Sequence, residues 1–330
     1  MKILVTGASG FVGGAFMRRF SSRPGLTLHG IARRAVDLPN YQRIDLTRPF
    51  DLPFEPDVVI HAAARASPWG TRRQYHEQNV VATRNVVDFC EKKGKPRLVY
   101  ISSTAVFYRE EHQFDLTETS PIGPRFVNEY AATKYRGETV VQSYRGESLI
   151  LRPRAVFGPG DTVLFPRVLA AARKGVLPLF VGQTQPVMGD LIYIDTLCDY
   201  LPDAAQRAQV AESYNLTNGR PVEIQRLLLD VLDRLGVPRP KRQLSIASAL
   251  RVATVLEWLY RLLRLSWRTA DNALRNRRRL FEDLRPQSHA SRPGSTERKP
   301  RRWDRTVHRL AASAVVDGYC GTESVVMSSA

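Results

Sequence analysis

Short apolar runs of strand length alternate with amphipathic stretches of helix length through residues 1–160, and this alternation predicts an α/β fold built on a doubly wound parallel sheet. Two further observations point the same way. The first apolar run opens directly into a glycine-rich turn, as the first strand of a βαβ unit does. Apolar residues make up 43% and charged residues 25% of the 330, which is ample core for a globular chain of about two domains.

Taken in order, the strand candidates are 2–6, 26–32, 58–61, 98–102 and 148–151, each a compact apolar run rich in Val, Ile and Leu. Between them, 12–20, 75–93 and 128–144 carry apolar residues at helical spacing. Beyond Pro153 the pattern becomes irregular and is punctuated by Gly158-Pro159-Gly160-Asp161 and Gly182-Gln183. The expected organisation is therefore a sheet-bearing α/β domain over 1–160, to which later segments return, and a smaller second lobe over 161–265. That lobe would close over a site at the carboxyl ends of the strands. Residues 266–330 form an Arg/Ser-rich tail, expected to be disordered. No internal repeat is visible.

Charge and cysteine usage narrow the function classes. The net charge is +17, but 266–330 hold 13 Lys and Arg against 7 Asp and Glu, and the rest is spread without a dominant basic block. Such a distribution fits a solvated surface or an anionic ligand better than a nucleic-acid face, so no nucleic-acid partner is expected. Cys90, Cys198 and Cys320 lie far apart without CxxC spacing, which suggests neither a metal cage nor a disulfide framework. His61 ends a strand candidate with no second ligand nearby, so no metal site is expected. Met1-Lys2 runs straight into a strand-like segment without a secretory signal, and no charge-free apolar run reaches membrane-spanning length. A cytoplasmic location is the expectation.

Three motifs carry chemistry. In Val5-Thr6-Gly7-Ala8-Ser9-Gly10-Phe11-Val12-Gly13-Gly14 a strand feeds glycines spaced GxxGxxG and then a helix. Glycines there allow a tight turn and let backbone N–H groups approach a pyrophosphate at the helix N-terminus. In Tyr130-Ala131-Ala132-Thr133-Lys134 the phenol and ammonium share one helix face, where Lys⁺ favours the phenolate. Alone, that pair would be an ordinary surface contact. Third, Val99-Tyr100-Ile101-Ser102-Ser103-Thr104-Ala105-Val106-Phe107 is a strand ending in three hydroxyls, any of which could reach a site at the sheet's carboxyl edge or simply cap backbone groups.

With these motifs in this order, the chain resembles the extended short-chain dehydrogenase/reductases, the NAD(P)-dependent epimerase/dehydratase superfamily with a Rossmann-type sheet, and most closely its 3β-hydroxysteroid dehydrogenase-like branch. The resemblance spans roughly residues 1–265. It implies that Gly7, Ser9, Gly10, Phe11, Val12 and Gly13 cradle the cofactor, that Asp45 and Leu46 reach the adenine, and that Ala62, Ala63 and Ala64 lie beneath the cofactor. Asn79 stands where the family keeps its active-site asparagine, and Pro153 and Val156 belong to the segment that passes the nicotinamide. Asp190–Asp195 and Tyr214–Thr217 match later landmarks. Ser103 is the implied catalytic hydroxyl, since it stands four residues before the aromatic Phe107, with Ser102 and Thr104 as rivals. The family usually follows with Tyr-Gly, where this chain has Phe107-Tyr108.

The implied reaction is hydride transfer between a nicotinamide and a secondary alcohol or ketone of sterol or β-keto lipid type. Tyr130 would exchange the proton, Ser103 would stabilise the substrate oxygen, and Lys134 would tune Tyr130 and hold the nicotinamide ribose, all in a homodimer. The competing readings are a nucleotide-sugar epimerase or dehydratase, for which Arg154, Arg167, Arg173 and Lys174 could grip a diphosphate, and a non-catalytic NADP-binding regulator. Gly30-Ile31-Ala32-Arg33-Arg34 places alanine where NAD users commonly carry an acid, with two arginines following. NADP(H) is therefore favoured over NAD(H), because guanidinium groups match a 2′-phosphate.

Two segments call for separate readings. Residues 247–268 form an apolar stretch with a polar stripe, which suits a helix packed on the second lobe or, alternatively, a peripheral membrane contact. Near Leu265 the family likeness stops. Related chains continue with a Glu-Pro-Pro-x-Thr-Arg-Tyr-like segment and a Ser-Lys-Thr-Phe-like strand. Codons for Trp267-Arg268-Thr269-Ala270, read one nucleotide later, can spell Gly-Glu-Pro-Pro, and those for Phe281-Glu282-Asp283-Leu284 can spell Ser-Lys-Thr-Phe in the same frame. Out-of-frame translation from about residue 266 is the resulting expectation.

Overall fold

The computed structural model describes residues 1–67, 70–109, 113, 116–182, 185–206, 212–245 and 248. The 247–268 stretch apart from Ser248 and the whole tail lie outside them.

The first compact unit comprises residues 1–109, 116–156 and 192–218. Its centre is a seven-stranded sheet with strands β1 (Lys2–Thr6), β2 (Thr27–Ala32), β3 (Tyr41–Arg43), β4 (Val58–His61), β5 (Arg97–Ile101), β6 (Ser148–Pro153) and a final strand Ser213–Leu216. In space the order is Ser213–Leu216, β6, β5, β4, β1, β2, β3, and every pairing is parallel. The order reverses between β1 and β4, which opens the crevice where an α/β sheet binds ligands.

Side-chain alternation accounts for the two-sided cover. Ile3, Val5, Val58, Ile60, Val99, Ile101, Leu149 and Leu151 face one layer, where they meet Phe16, Met17 and Phe20 of α1 (Phe11–Phe20) and Leu197, Cys198 and Leu201 of the helix Ile194–Gln206. Leu4, Val59, Leu98, Tyr100 and Ile150 face the other, against α3 (Ala82–Lys92) and α4 (Glu129–Gln142). Burial on both faces is why these strands read as continuous apolar runs.

The structure departs from the sequence expectation in three places. The single helix expected over 75–93 is a short α2 (Arg72–Tyr75), a π-helical turn His76–Val81 and then α3. β3 and Ser213–Leu216 were not expected as strands; each is short, and half-buried or exposed at most positions. The third hydroxyl-bearing run ends as a strand at Ile101, and Ser102 leaves it.

The described residues of the second unit are 113, 157–182, 185–191, 219–245 and 248. Its described part has helices Phe165–Arg173 and Ile224–Arg234, with Leu169, Ala172, Leu177, Leu232 and Val237 packed as a small core.

Candidate active site

The turn after β1 is a tightly closed cradle. Gly7 has φ +67°, and a Cβ there would stand 2.7 Å from the Cα of Ala63. At Gly13 a Cβ would stand 2.5 Å from the Gly7 carbonyl oxygen. The glycine turn, the first turn of α1 and the Ala62–Ala63 segment after β4 are thus in backbone contact, which no larger residue at 7 or 13 permits. Gly10 precedes α1 as its N-cap, so there is no side-chain cap, and the first turn holds no acidic residue. Its leading N–H groups therefore present the partial positive charge that a pyrophosphate needs. Ser9, Gly10, Phe11, Val12, Ala62 and Ala63 are half-buried around this cradle, and Ala64 is exposed. The residues fit a dinucleotide.

At the end of β2, Arg33 and Arg34 are exposed. The Arg34 guanidinium donates to the Ser9 carbonyl, and the Tyr41 hydroxyl is hydrogen-bonded to the Arg34 carbonyl and, at 3.0 Å, to that of Ala32. Arg43 Nε donates to the Arg33 carbonyl at 3.0 Å. Asp45 is exposed and accepts from the Thr47 N–H (3.1 Å) and hydroxyl (2.9 Å), while Leu46 is buried.

The three hydroxyls after β5 have different surroundings. Ser102 is buried and donates to Glu138 Oε1 at 2.5 Å. Thr104 is buried, 3.3 Å from the Tyr108 hydroxyl. Ser103 is half-buried and caps the 3₁₀ turn Thr104–Phe107 by accepting from the Ala105 N–H at 3.2 Å. Of the three, Ser103 alone keeps solvent access at the carboxyl edge.

α4 is started by Asn128, whose side chain accepts from the Ala131 N–H at 2.8 Å, with Glu129 favourably placed in the first turn. Its inward face is unusually polar: Thr133, Lys134 and Glu138 are buried. Tyr130, half-buried at the start of this stripe, is followed one turn on by Lys134, whose Nζ donates to the Ile101 carbonyl at 2.7 Å and lies 4.0 Å from the centre of the Tyr100 ring. Burial pushes the Lys134 ammonium down to about 7, and Glu138 opposes that fall.

Asn79, fully buried on the π-helical turn, ties this helix to the loop after β4. Its Oδ1 accepts from the Arg65 N–H at 2.6 Å, and its Nδ2 donates to Thr133 Oγ1 at 3.0 Å. Behind it runs a directed chain. Thr83 Oγ1 donates its single proton to the Asn79 carbonyl at 2.6 Å, so at 2.9 Å it must accept from His61 Nε2–H. Burial, aided by the charge of Lys134, pushes the His61 imidazole down to about 3, so the ring is neutral. Nδ1 then accepts from Thr6 Oγ1 at 2.6 Å, and Thr6 accepts from the Ala63 N–H at 3.2 Å.

The predicted residues thus fall into two groups. Gly7, Ser9, Gly10, Phe11, Val12, Gly13, Ala62 and Ala63 meet at the cradle, with Arg34 reaching them. Ser103, Tyr130, Lys134 and Asn79 gather on β5, α4 and the π-helical turn. Buried Pro153 ends β6 beside β5, and half-buried Val156 follows it. Arg154, considered above for a diphosphate grip, is buried with its guanidinium 4.7 Å from the Tyr108 ring centre. Sequence reasoning did not find Thr6, Thr83, Thr133, Glu138 or Tyr41. The i+4 spacing of Asn79 to Thr83 and of Lys134 to Glu138 was the available signal.

Residues 3–217 match the NAD dependent epimerase/dehydratase family. The chain is 34% identical over 287 residues to the 2-alkyl-3-oxoalkanoate reductase of Stenotrophomonas maltophilia (strain K279a), covering 80% of this chain and 85% of that one. It is 29% identical over 222 residues to the 3beta-hydroxysteroid-dehydrogenase/decarboxylase isoform 1 of Arabidopsis thaliana, covering 63% of this chain and 50% of that protein. Among solved structures, the Bordetella bronchiseptica enzyme WbmH in complex with NAD+ shares the fold with a TM-score of 0.62 at 21% identity, over 74% of this chain and 85% of that one. The UDP-glucuronic acid 4-epimerase of Bacillus cereus in complex with NAD does so with a TM-score of 0.61 at 23% identity, over 74% and 88%. On these grounds, with the cradle and the Tyr130–Lys134 stripe in their places, the chain belongs to the NAD dependent epimerase/dehydratase family.

Proposed function

We propose that this chain is an NAD(P)(H)-dependent oxidoreductase interconverting a secondary alcohol and a ketone, acting on a sterol or β-keto lipid substrate. The observation that carries the reading is the buried Lys134 one turn from half-buried Tyr130, beside a strand end whose accessible hydroxyl is Ser103. The reductase and dehydrogenase names of the relatives support the substrate class. When bound, the nicotinamide supplies or accepts the hydride. Tyr130 passes a proton to or from the substrate oxygen, and Ser103 donates a hydrogen bond to it as charge develops. Lys134 lowers the cost of the Tyr130 phenolate and holds the nicotinamide ribose, while Asn79 fixes the loop at Arg65 against α4. Tyr130→Phe is expected to lower kcat by at least a hundredfold with cofactor Kd within threefold; equal loss of both would reduce Tyr130 to a structural residue.

The cofactor is NADP(H) in preference to NAD(H), supported by Arg33 and Arg34 and by the absence of a carboxylate at positions 32–36. The solved structures similar in fold hold NAD, which makes this chain's arginines a departure to be measured. A nucleotide-sugar epimerase or dehydratase is the second reading. Thermal shift against UDP- and dTDP-sugars and against β-keto acids and sterols separates the two.

Among the described residues no helix is long and apolar enough to cross a membrane. We read the protein as a cytoplasmic homodimer acting on a small molecule, with residues 247–268 as a helix packed on the second lobe or, alternatively, as a peripheral membrane contact. Sedimentation, and liposome flotation with and without that segment, test both points.

A further inference from the structure

Glu138 stands one turn beyond Lys134 and two beyond Tyr130, on the same stripe of α4. Its carboxylate is fully buried and bonded at both oxygens: Oε1 accepts from Ser102 Oγ at 2.5 Å and from Arg152 Nε at 3.0 Å, and Oε2 accepts from Arg152 Nη2 at 2.8 Å. Ser102 is also held by its own N–H, which donates to the Leu151 carbonyl at 2.6 Å. Lys134 grips the carbonyl of Ile101, the residue before Ser102. Two consecutive turns of α4 therefore hold two consecutive residues of the peptide that leads into Ser103.

The charges around Lys134 give this latch a second consequence. From β5 it faces the uncharged Tyr100 ring, and from β4 the neutral His61. On α4 itself its neighbours are Tyr130 and Glu138, and β6 contributes Arg152 behind Glu138. On the elements packed behind α4, Glu77 is paired with Arg73 and Glu91 with Arg145 toward the surface, and Arg72 of α2 is 3.5 Å from Glu129. Glu138 is the buried carboxylate on the Lys134 stripe.

We propose that Glu138 is a positioning residue of the reaction, which through Ser102 and Arg152 latches α4 to the ends of β5 and β6 and holds Lys134 as an ammonium beside Tyr130. The proposal rests on the reading of Tyr130 and Lys134 as the proton-transfer pair. Glu138→Gln keeps an acceptor for Ser102 but removes the charge that faces Lys134 and leaves Arg152 without its carboxylate partner. Glu138→Gln/Arg152→Met removes both charges and covers the case in which the single variant does not fold.

The direct test follows the titration of Lys134 by NMR in full-length protein with isotopically labelled lysine, which needs no turnover. Its amine is expected to titrate at least one pH unit lower in Glu138→Gln, or in the double variant where the single one is unfolded. In parallel, the acid limb of kcat/KM for alcohol oxidation moves up by about one pH unit, and kcat at pH 7 falls at least tenfold with KM within threefold. An unchanged Lys134 titration in a folded variant overturns the proposal. Wild-type turnover by Tyr130→Phe would instead bring down the underlying reading, and the two failures are told apart because only the first is read from the lysine signal.

Discussion

At the scale of single residues, the site is organised by protons whose positions are fixed. The chain from the Ala63 N–H through Thr6, His61 and Thr83 to the Asn79 carbonyl leaves one tautomer for His61, with hydrogen on Nε2. The folded imidazole titrates at about 3 and the unfolded one at its ordinary 6.5. The unfolded state therefore binds the extra proton first, and this contribution to stability, full above 6.5, is lost as pH falls toward 3, at up to about 1.4 kcal/mol per unit. The His61 ring is expected to keep the Nε2–H pattern in long-range ¹H–¹⁵N spectra down to pH 4.5; protonation near pH 6 would refute the buried chain. Cofactor choice is also a residue-scale matter. Arg33→Ala/Arg34→Ala should raise KM for NADPH at least tenfold and leave that for NADH within threefold, as steady-state kinetics with both cofactors would show. A wild-type preference for NADH would reverse the assignment.

At the scale of elements, the features legible in the sequence were those whose partners lie close along the chain. The glycine turn and the Tyr130–Lys134 pair are local patterns, and the buried strands announce themselves by unbroken apolar runs. The π-helical turn was not legible, because 75–93 keeps a helical period while Asn79 is drawn toward Arg65 and Thr133, contacts made across the fold. For the same reason Ser102 and Ser103 could not be separated by environment until Glu138 was seen to occupy the first. β3 escaped notice since an edge strand of three residues buries too little to leave an apolar signature. The cradle makes the sharpest element-scale prediction. Gly7→Ala combines a left-handed backbone with a Cβ against Ala63, so it should cost about 1–3 kcal/mol by denaturant unfolding and weaken cofactor binding more than tenfold by fluorescence titration. An alanine variant with unaltered affinity would mean that the turn does not approach the pyrophosphate.

At the scale of the whole molecule, the frame change expected near residue 266 lies outside the described residues and remains our proposal. Resequencing the gene across the codons for Leu265–Trp267 tests it directly. An inserted or deleted base is the expected result; an intact frame, with a tail protected from hydrogen exchange, would refute it. Every strand of the seven-stranded sheet precedes that point, so the Tyr130–Lys134–Glu138 stripe and the glycine cradle do not depend on the outcome.

The placement of the final strand also sets an order of events at the ribosome. β6 pairs with Ser213–Leu216, and residues 154–212 must be made before that partner exists. At about 5–20 residues per second the outer edge of β6 stays unpaired for roughly 3–12 s during synthesis. An open, apolar edge is a template for pairing with other nascent chains. Near that edge β6 carries Arg152, a cation, which discourages a stray strand from adding there. The arginine that anchors Glu138 in the mature enzyme thus also serves, earlier in the life of the chain, as a guard against misassembly on the polysome.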